Sequence, residues 1–275
     1  MICGKCGKTL PDSMNFCQYC GNKLKADTPS AMALGSGTEG SAPKAVNPVF
    51  RLSYNVDLVL CIDATESMDS ILDIVKDNAV NLYADVLDLM EKNKKHIDTL
   101  RVRVVAFRDY MADGSEAMLT TRFFTLPAEA EDFSECVHQI EAKGGGDDPE
   151  DGLEALGFAI CSDWNRTGMK KRHVIALWSD APTHPLGYGR QRANYPQNMA
   201  RDLRELTSWW GSAGTASSSM MDQNAKRLIL FTPEEKDWTT IAQNWDKVYR
   251  IPTVAGNGSA EHSYETILNA IIHTI

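Results

Sequence analysis

Hydrophobic and polar positions form two kinds of block that alternate from about residue 55 onwards. Uninterrupted apolar runs are typical of strands covered on both faces, whereas apolar residues recurring every three or four positions indicate a helix facing a core. The runs predict strands at 56–62, 101–107, 122–126, 173–179, 227–232 and 247–251. The helical period predicts helices at 67–93, 130–141, 150–163, 197–210, 235–244 and from about 261 onwards.

The alternation of strands and helices predicts the fold class. Parallel strands need crossover connections, and helical crossovers cover both faces of the sheet. We therefore expect an α/β fold in residues 49–275, with a doubly wound, mostly parallel sheet flanked by helices. Ligands of such sheets bind at the carboxyl ends of the strands, so the loops there are the first place to look for a site.

Four cysteines near the start of the chain form a separate pattern. Cys3, Cys6, Cys17 and Cys20 have the spacing C-x2-C-x10-C-x2-C, which aims four thiolates at one point and predicts a closed tetrahedral zinc site. Residues 1–25 contain too little apolar mass to fold by burial, so zinc would supply the folding free energy. The segment resembles the zinc ribbons at the N-termini of many prokaryotic proteins, which implies a structural zinc ion.

The segment 26–48 separates this ribbon from the α/β region. It is rich in Ala, Gly, Ser and Pro and has no apolar period, which predicts a flexible linker. The first residues lack the apolar core of a signal peptide, and no run reaches the roughly 18 apolar residues of a membrane span. We therefore expect a cytoplasmic protein.

Charge separates the two parts of the chain. The formal net charge is −9, while residues 1–25 carry four lysines against Asp12 and are therefore basic. The acidic main region argues against a phosphate-backbone binder. The lysines of the ribbon leave a contact with RNA or DNA open as an alternative; they are Lys5, Lys8, Lys23 and Lys25.

Side chains with oxygen donors cluster in three loops that should meet at the carboxyl edge of the sheet. They are Asp63, Thr65 and Ser67 after the first strand, Asp147 or Asp148 before the helix at 150–163, and Asp180 after the strand at 173–179. A site with oxygen donors alone selects a hard cation, here magnesium, manganese or calcium. The alternative for the first loop is a helix N-cap, because Thr and Ser cap helices well.

The first and third loops resemble the metal-ion-dependent adhesion site of the von Willebrand factor A domain. That family's Asp-x-Ser/Thr-x-Ser loop is matched by Asp63, Thr65 and Ser67, and its later aspartate by Asp180. Asp147 stands where the family has a threonine, which is a departure from the pattern. The variants GGGDDPED and SDAPTH are more similar to the A domains joined to atypical kinases or found in bacterial tellurite-resistance-type gene neighbourhoods.

The resemblance implies a binding module and not an enzyme. An intracellular adaptor would bind an acidic group of a protein partner through the divalent cation, with Asp148 and His184 as partner contacts. A metal-dependent phosphoryl-transfer enzyme is an alternative, because a divalent ion at a sheet edge can serve that chemistry. An RNA- or DNA-associated scaffold that uses the basic ribbon is the other alternative.

Other charged residues near the three loops have simpler interpretations. Glu150 and Asp151 are expected in the first turn of a helix, where negative charge complements the helix dipole. Arg108 and Asp109 follow the strand at 101–107 and predict an exposed ion pair at the end of that strand.

Overall fold

The computed structural model describes residues 54–145, 149–168, 170–212, 219–257 and 262–275, together with Ile2 and Thr9. The four ribbon cysteines, the predicted linker 26–48, and Asp147 and Asp148 lie outside the described residues. Ile2 and Thr9 form an antiparallel β-bridge that joins the chain on either side of the first cysteine pair.

Within the described residues, seven strands form one sheet in the order β3-β2-β1-β5-β6-β7, and β4 also pairs with β2. The strands β1, β2, β5, β6 and β7 are parallel to one another, whereas β3 and β4 are antiparallel to β2. The strands are β1 (Tyr54–Asp63), β2 (Thr99–Phe107), β3 (Met118–Thr120), β4 (Phe124–Leu126), β5 (Lys170–Trp178), β6 (Lys226–Thr232) and β7 (Val248–Pro252). The mostly parallel sheet is therefore confirmed.

Helices cover both faces of this sheet. They are α1 (Asp69–Asn78), α2 (Leu82–Lys92), α3 (Ala130–His138), α4 (Gly152–Ile160), α5 (Leu203–Trp210), α6 (Lys236–Asn244) and α7 (Tyr264–Thr274). The helices α1, α2, α3 and α7 contribute to one apolar core, and α4, α5 and α6 to the other. Along β1, Leu58 and Leu60 face the first core while Val59 and Cys61 face the second, as the two-residue period of a strand requires. None of the described helices has the length and apolar character that a bilayer span requires.

The predicted helix at 67–93 is two helices in the structure. Asp69–Asn78 and Leu82–Lys92 are separated by a turn at 79–81, in which Val80 is exposed. The side-chain amide of Asn78 donates to the carbonyl oxygen of Ile74 at 2.8 Å, and such local bonds compete with the helical ladder. The three- and four-residue spacing continues across the turn because both segments face the same core.

Two further elements differ from the prediction. The helix predicted at 197–210 begins only at Leu203, because the side chain of Asp202 caps it by accepting from the backbone NH of Glu205 at 2.8 Å. The strand Met118–Thr120 was not predicted, since three residues are too short to show a period. It pairs with the outer side of β2.

Two glycines of α4 give a matched test of how rigidly this helix is packed. A Cβ at Gly152 would lie 2.7 Å from the Trp238 ring, which is fully buried and held by a hydrogen bond from its Nε1 to the oxygen of Ala181. A Cβ at Gly157 would meet the flexible end of Met199.

Replacing Gly152 by Ala should therefore lower the free energy of unfolding by about 1–3 kcal/mol through overpacking. Gly157→Ala should cost less, because alanine gains about 1 kcal/mol of helix propensity and the Met199 side chain can move. Denaturant unfolding followed by circular dichroism measures both. A larger loss for Gly157→Ala than for Gly152→Ala would contradict this description of the packing.

Candidate metal site at the carboxyl edge of the sheet

The first loop folds back on the carboxylate that ends β1. Asp63 is fully buried, and its Oδ1 accepts hydrogen bonds from the backbone NH of Thr65 at 3.1 Å and from Thr65 Oγ1 at 2.7 Å. Thr65 Oγ1 lies 3.3 Å from Ser67 Oγ. The alternation of Asp63, Thr65 and Ser67 thus places all three donors on the same side of the loop.

The third loop meets the first through two hydroxyl groups. Ser67 Oγ donates to Asp180 Oδ1 at 3.1 Å, and Ser179 Oγ donates to Asp63 Oδ2 at 2.8 Å. The structure therefore brings together four of the predicted site residues, Asp63, Thr65, Ser67 and Asp180. Ser179 was missed, because it was read as the last residue of an apolar strand.

Helix capping does not account for the two hydroxyls of the first loop. Thr65 precedes a single 3-10 turn at Glu66–Met68 and makes no side-chain capping bond to it. The helix α1 is preceded by Met68, which cannot cap with its side chain. Instead, the hydroxyl of Thr65 donates to the carboxylate of Asp63, and the hydroxyl of Ser67 donates to that of Asp180.

The described ends of the second loop contact the first and the third loops. At its start, the backbone NH of Lys143 donates to the oxygen of Ala64 at 3.0 Å. At its end, the NH of Glu150 donates to the oxygen of Pro182 at 3.1 Å, and its oxygen accepts from the NH of His184 at 2.8 Å. Since Asp147 and Asp148 lie outside the described residues, their contribution to the site stays a prediction.

Glu150 is the acidic residue of the second loop that the structure places beside the first loop. It precedes α4, which begins at Gly152, so its predicted place in the first turn of that helix is wrong, and it is buried. A Cβ at Gly145 would lie 2.8 Å from Thr65 Cβ and 3.3 Å from Glu150 Oε1, so both side chains border the same position. Glu150 Oε2 has no hydrogen-bond partner within the described residues.

The site concentrates carboxylates where burial disfavours charge. Burial raises the pKa of Asp63 to about 6, although the hydrogen bonds from Thr65 and Ser179 oppose this shift. Burial also raises the pKa of Glu150 to about 9, and the neighbouring charge of Asp63 adds to the increase. A cation at this position would favour the ionised forms of both groups.

The donor set fits a hard divalent cation. Carboxylate and hydroxyl oxygens face one another, and the buried Glu150 Oε2 has no hydrogen-bond partner among the described residues. In the part of the chain that the structure describes, no group of three or more His, Cys, Asp or Glu residues is placed to hold a metal by itself.

Family comparison agrees with both predicted parts of the chain. Residues 2–24 match the family model of the zinc-ribbon domain, and residues 57–169 match that of the von Willebrand factor A domain. The chain carries a zinc-ribbon domain and a von Willebrand factor A domain. The first and second loops lie within the matched residues, and the third loop follows them in the same sheet; this α/β region is called the A domain below.

Two curated relatives resemble about half of the chain. The alpha-protein kinase vwkA of Dictyostelium discoideum is 27% identical over 146 residues, which are 53% of this chain and 21% of that protein. The ariadne-like RING finger protein R811 of Acanthamoeba polyphaga mimivirus is 24% identical over 152 residues, which are 55% of this chain and 13% of that protein. The match thus spans less than a quarter of each relative's length.

A solved structure with a partial likeness is the pilus adhesin SpaC from Lactobacillus rhamnosus GG. It is 12% identical, and the likeness covers 80% of this chain and 30% of the adhesin with a TM-score of 0.45. A likeness at this level carries no argument about the function of the A domain.

Arg108 holds the loops of the A domain in place. Its guanidinium is buried and donates to three main-chain oxygens: from Nε to Ala64 at 2.9 Å, from Nη1 to Glu116 at 2.7 Å, and from Nη2 to Glu141. The predicted exposed ion pair with Asp109 is therefore wrong, and Asp109 is itself buried. Because Ala64 lies in the first loop and Glu141 leads into the second, Arg108 fixes the two loops relative to each other.

His184 is at the end of the third loop of the A domain. Its ring is buried and stacks on Tyr188 with a centroid distance of 3.9 Å, and Nε2 is 3.7 Å from Asp109 Oδ2. The ring therefore packs between loops of this chain. Its role as a partner contact stays a prediction.

Two more buried carboxylates lie on or just before α4, and one of them, Glu154, contacts the loop at 185–195. Asp151 Oδ2 accepts from the NH of Tyr110 at 2.6 Å, while Glu154 Oε1 accepts from the NH of Gly187 at 2.9 Å and from the hydroxyl of Tyr195 at 2.8 Å. Glu154 is fully buried, and burial raises its pKa to about 7. Folding therefore disfavours the ionised form of Glu154.

This shift predicts a pH-dependent effect of Glu154→Gln. The pKa of Glu154 rises from 4.5 to about 7 on folding, so the wild type loses stability as the pH rises through this range. The variant has no carboxylate to ionise, so its stability relative to wild type should improve by roughly 2 kcal/mol between pH 5 and pH 8. Urea unfolding at both pH values measures the change.

The matched control is Glu91→Gln, at an exposed position of α2. Its stability relative to wild type should stay nearly the same at pH 5 and pH 8. If the stability of Glu154→Gln relative to wild type is also the same at both pH values, burial does not raise the pKa of Glu154 as described.

Proposed function

We propose that the A domain is a metal-dependent protein-interaction adaptor that binds an acidic group of a partner protein through a divalent cation. The observation that carries this proposal is the hydrogen-bonded set of Asp63, Thr65, Ser67 and Asp180, which joins two loops at the carboxyl edge of the sheet. The A-domain family match supports a protein-interaction role. Partner capture followed by mass spectrometry would identify the bound partner and its pathway.

The residues at this edge have separable roles in the proposal. Ser67 and Asp180 would hold the cation, with the hydroxyl of Thr65 beside them. Asp63 orients Thr65 by accepting from it, and Ser179 in turn holds Asp63. When bound, the cation supplies an electrophilic position for a carboxylate oxygen of the partner. Magnesium or manganese fits these oxygen donors, and calcium fits them as well.

The second loop would complete the ligand set. Asp147 is the predicted ligand, with Asp148 as the neighbouring partner contact. Glu150 is added as a candidate because its carboxylate is buried beside Thr65 and one of its oxygens has no partner within the described residues. More than one carboxylate ligand would neutralise the ion and weaken its attraction for an acidic partner, so the loop sets how strongly a partner binds.

The zinc ribbon is included in the proposal as a structural module. Cys3, Cys6, Cys17 and Cys20 would hold one zinc ion, and thiolate ligands of this kind are typical of a reducing compartment. We therefore propose that the adaptor acts in the cytoplasm.

Binding of a divalent cation should stabilise the A domain. At a magnesium concentration 100 times the dissociation constant, the stabilisation is about 2.7 kcal/mol, which thermal unfolding detects as a higher Tm. The double variant Asp63→Asn, Asp180→Asn should lose this increase. The control Asp73→Asn, Asp77→Asn removes the same charge from exposed positions of α1 and should retain it.

Zinc is kept constant in all samples, so that the ribbon does not contribute to the difference. An equal rise of Tm in the wild type and in the Asp63, Asp180 variant would contradict the proposed cation site.

Partner capture tests the adaptor role itself. The immobilised full chain should retain specific proteins from native lysate in the presence of magnesium and release them when magnesium is withdrawn. The Asp63→Asn, Asp180→Asn variant should not retain them, whereas the Asp73→Asn, Asp77→Asn control should. Mass spectrometry identifies the proteins, and replacing acidic residues of a captured partner by amides should abolish binding.

The adaptor proposal fails if the folded Asp63, Asp180 variant captures the same proteins as the wild type. It also fails if captured partners bind equally well after their acidic residues have been replaced.

A further inference from the structure

A second concave site lies at the opposite end of the sheet, near the amino ends of β5 and β6. The pocket has a volume of about 540 Å³, and four basic side chains, one histidine and an exposed tyrosine line it. We call it the basic pocket. These residues are Lys95, Arg172, Arg227, Lys247, His273 and Tyr249.

The two arginines face the same side of the sheet because of strand periodicity. Arg172 is two residues before Val174 on β5, and Arg227 is two residues before Ile229 on β6, so each pair shares one face of its strand. Val174 and Ile229 belong to the core under α1, α2 and α7. The strands are adjacent and parallel, with Val174 opposite Arg227. The two guanidinium groups therefore come from neighbouring strands and enter one pocket.

Among the described residues, the hydrogen bonds of the two arginines run to main-chain oxygens. Arg172 donates to the main-chain oxygens of Ile275 and Lys171, and Arg227 donates to those of Asn224 and Lys226. Among the described residues, no ion pair to Asp or Glu is formed by either arginine.

The nearest acidic residues have other partners. Asp222 pairs with Lys171 at 3.3 Å, and Asp246 pairs with the buried Lys226 at 2.9 Å. Burial lowers the pKa of Arg227 and the charge of Arg172 lowers it further, whereas Tyr54 and Asp246 raise it. The two arginines are therefore close enough to repel each other. An anion between the arginines would remove this repulsion.

A structural role explains only part of the basic pocket. Arg172 donates from Nε to the oxygen of Ile275 at 3.0 Å, just after α7, where a cation stabilises the end of a helix. This contact accounts for one arginine. Arg227 and Lys247 also donate to main-chain oxygens, and with Lys95 they line the same pocket. Carbonyl oxygens do not neutralise the charge of these side chains.

The chemistry of the lining identifies the class of ligand. Guanidinium groups match the oxygens of a phosphate with paired hydrogen bonds, and two lysines add charge suited to a dianion. The ring of Tyr249 is 56% exposed and offers a flat apolar surface at the same pocket. The volume lies within the roughly 300–1,000 Å³ of small-molecule sites.

We propose that the basic pocket binds a nucleotide, with its phosphate on Arg172 and Arg227 and its base against Tyr249. This inference is independent of the proposed cation site, because the two sites lie at opposite ends of the parallel strands. Adenosine monophosphate is the probe, and inorganic phosphate and adenosine test the two halves of the ligand separately.

Isothermal titration of the full chain in magnesium-free buffer tests the proposal. Adenosine monophosphate should bind with a stoichiometry of one and be displaced by excess inorganic phosphate. Arg227→Gln and Lys247→Gln should each weaken binding about tenfold or more, as expected for loss of a charged hydrogen bond. The control Arg201→Gln, at an exposed position before α5, should bind like wild type.

Tyr249→Ala tests the placement of the base. It should weaken adenosine monophosphate and leave inorganic phosphate unchanged; an equal effect on both, or none on either, overturns the assignment of the base to Tyr249.

The proposal is overturned if adenosine monophosphate does not bind the wild type. It is also overturned if folded Lys247→Gln and Arg227→Gln variants both bind it as the wild type does. The Asp63→Asn, Asp180→Asn variant should bind the nucleotide normally. Loss of nucleotide binding in that variant would assign the nucleotide to the carboxyl edge and overturn the basic pocket as its site.

Discussion

The burial of the Asp63 carboxylate is the constraint on which the carboxyl edge of the sheet depends. An ionised group removed from water is costly unless hydrogen bonds or an opposite charge replace its hydration. Thr65 satisfies one oxygen of Asp63 and Ser179 the other, and these donors come from two different loops. Satisfying one buried carboxylate therefore closes the first and third loops around the place where a cation would bind.

The loops around Asp63 are held by main-chain contacts more than by side-chain pairs. The Arg108 guanidinium joins the first loop to the start of the second through carbonyl oxygens, and Glu150 joins the second to the third through its backbone. Such a frame fixes the positions of the donors while leaving the carboxylates available to an ion. The parallel strands also separate the two charge types, because acidic loops follow their carboxyl ends and the basic pocket lies at their amino ends.

The sequence predicted the sheet and its first and third loops because their signals are local. The apolar run of β1 and the alternation of Asp63, Thr65 and Ser67 each lie within a few residues. Glu150 and Arg108 were misjudged because a charged residue beside a helix or strand end is usually exposed. Their burial results from loops that are distant in sequence, such as the packing of Gly145 on Thr65. The break between α1 and α2 was missed because both helices face one core with the same spacing.

The cation site is tested by a crystal structure of the full chain soaked with manganese, in which anomalous scattering locates the ion. We expect an anomalous peak at the carboxyl edge of the sheet, in contact with Ser67 Oγ and a carboxylate oxygen of Asp180. This peak should be distinct from that of the zinc in the ribbon. A well-ordered edge without such a peak, or manganese bound only elsewhere, would contradict the central claim that these loops form a cation site.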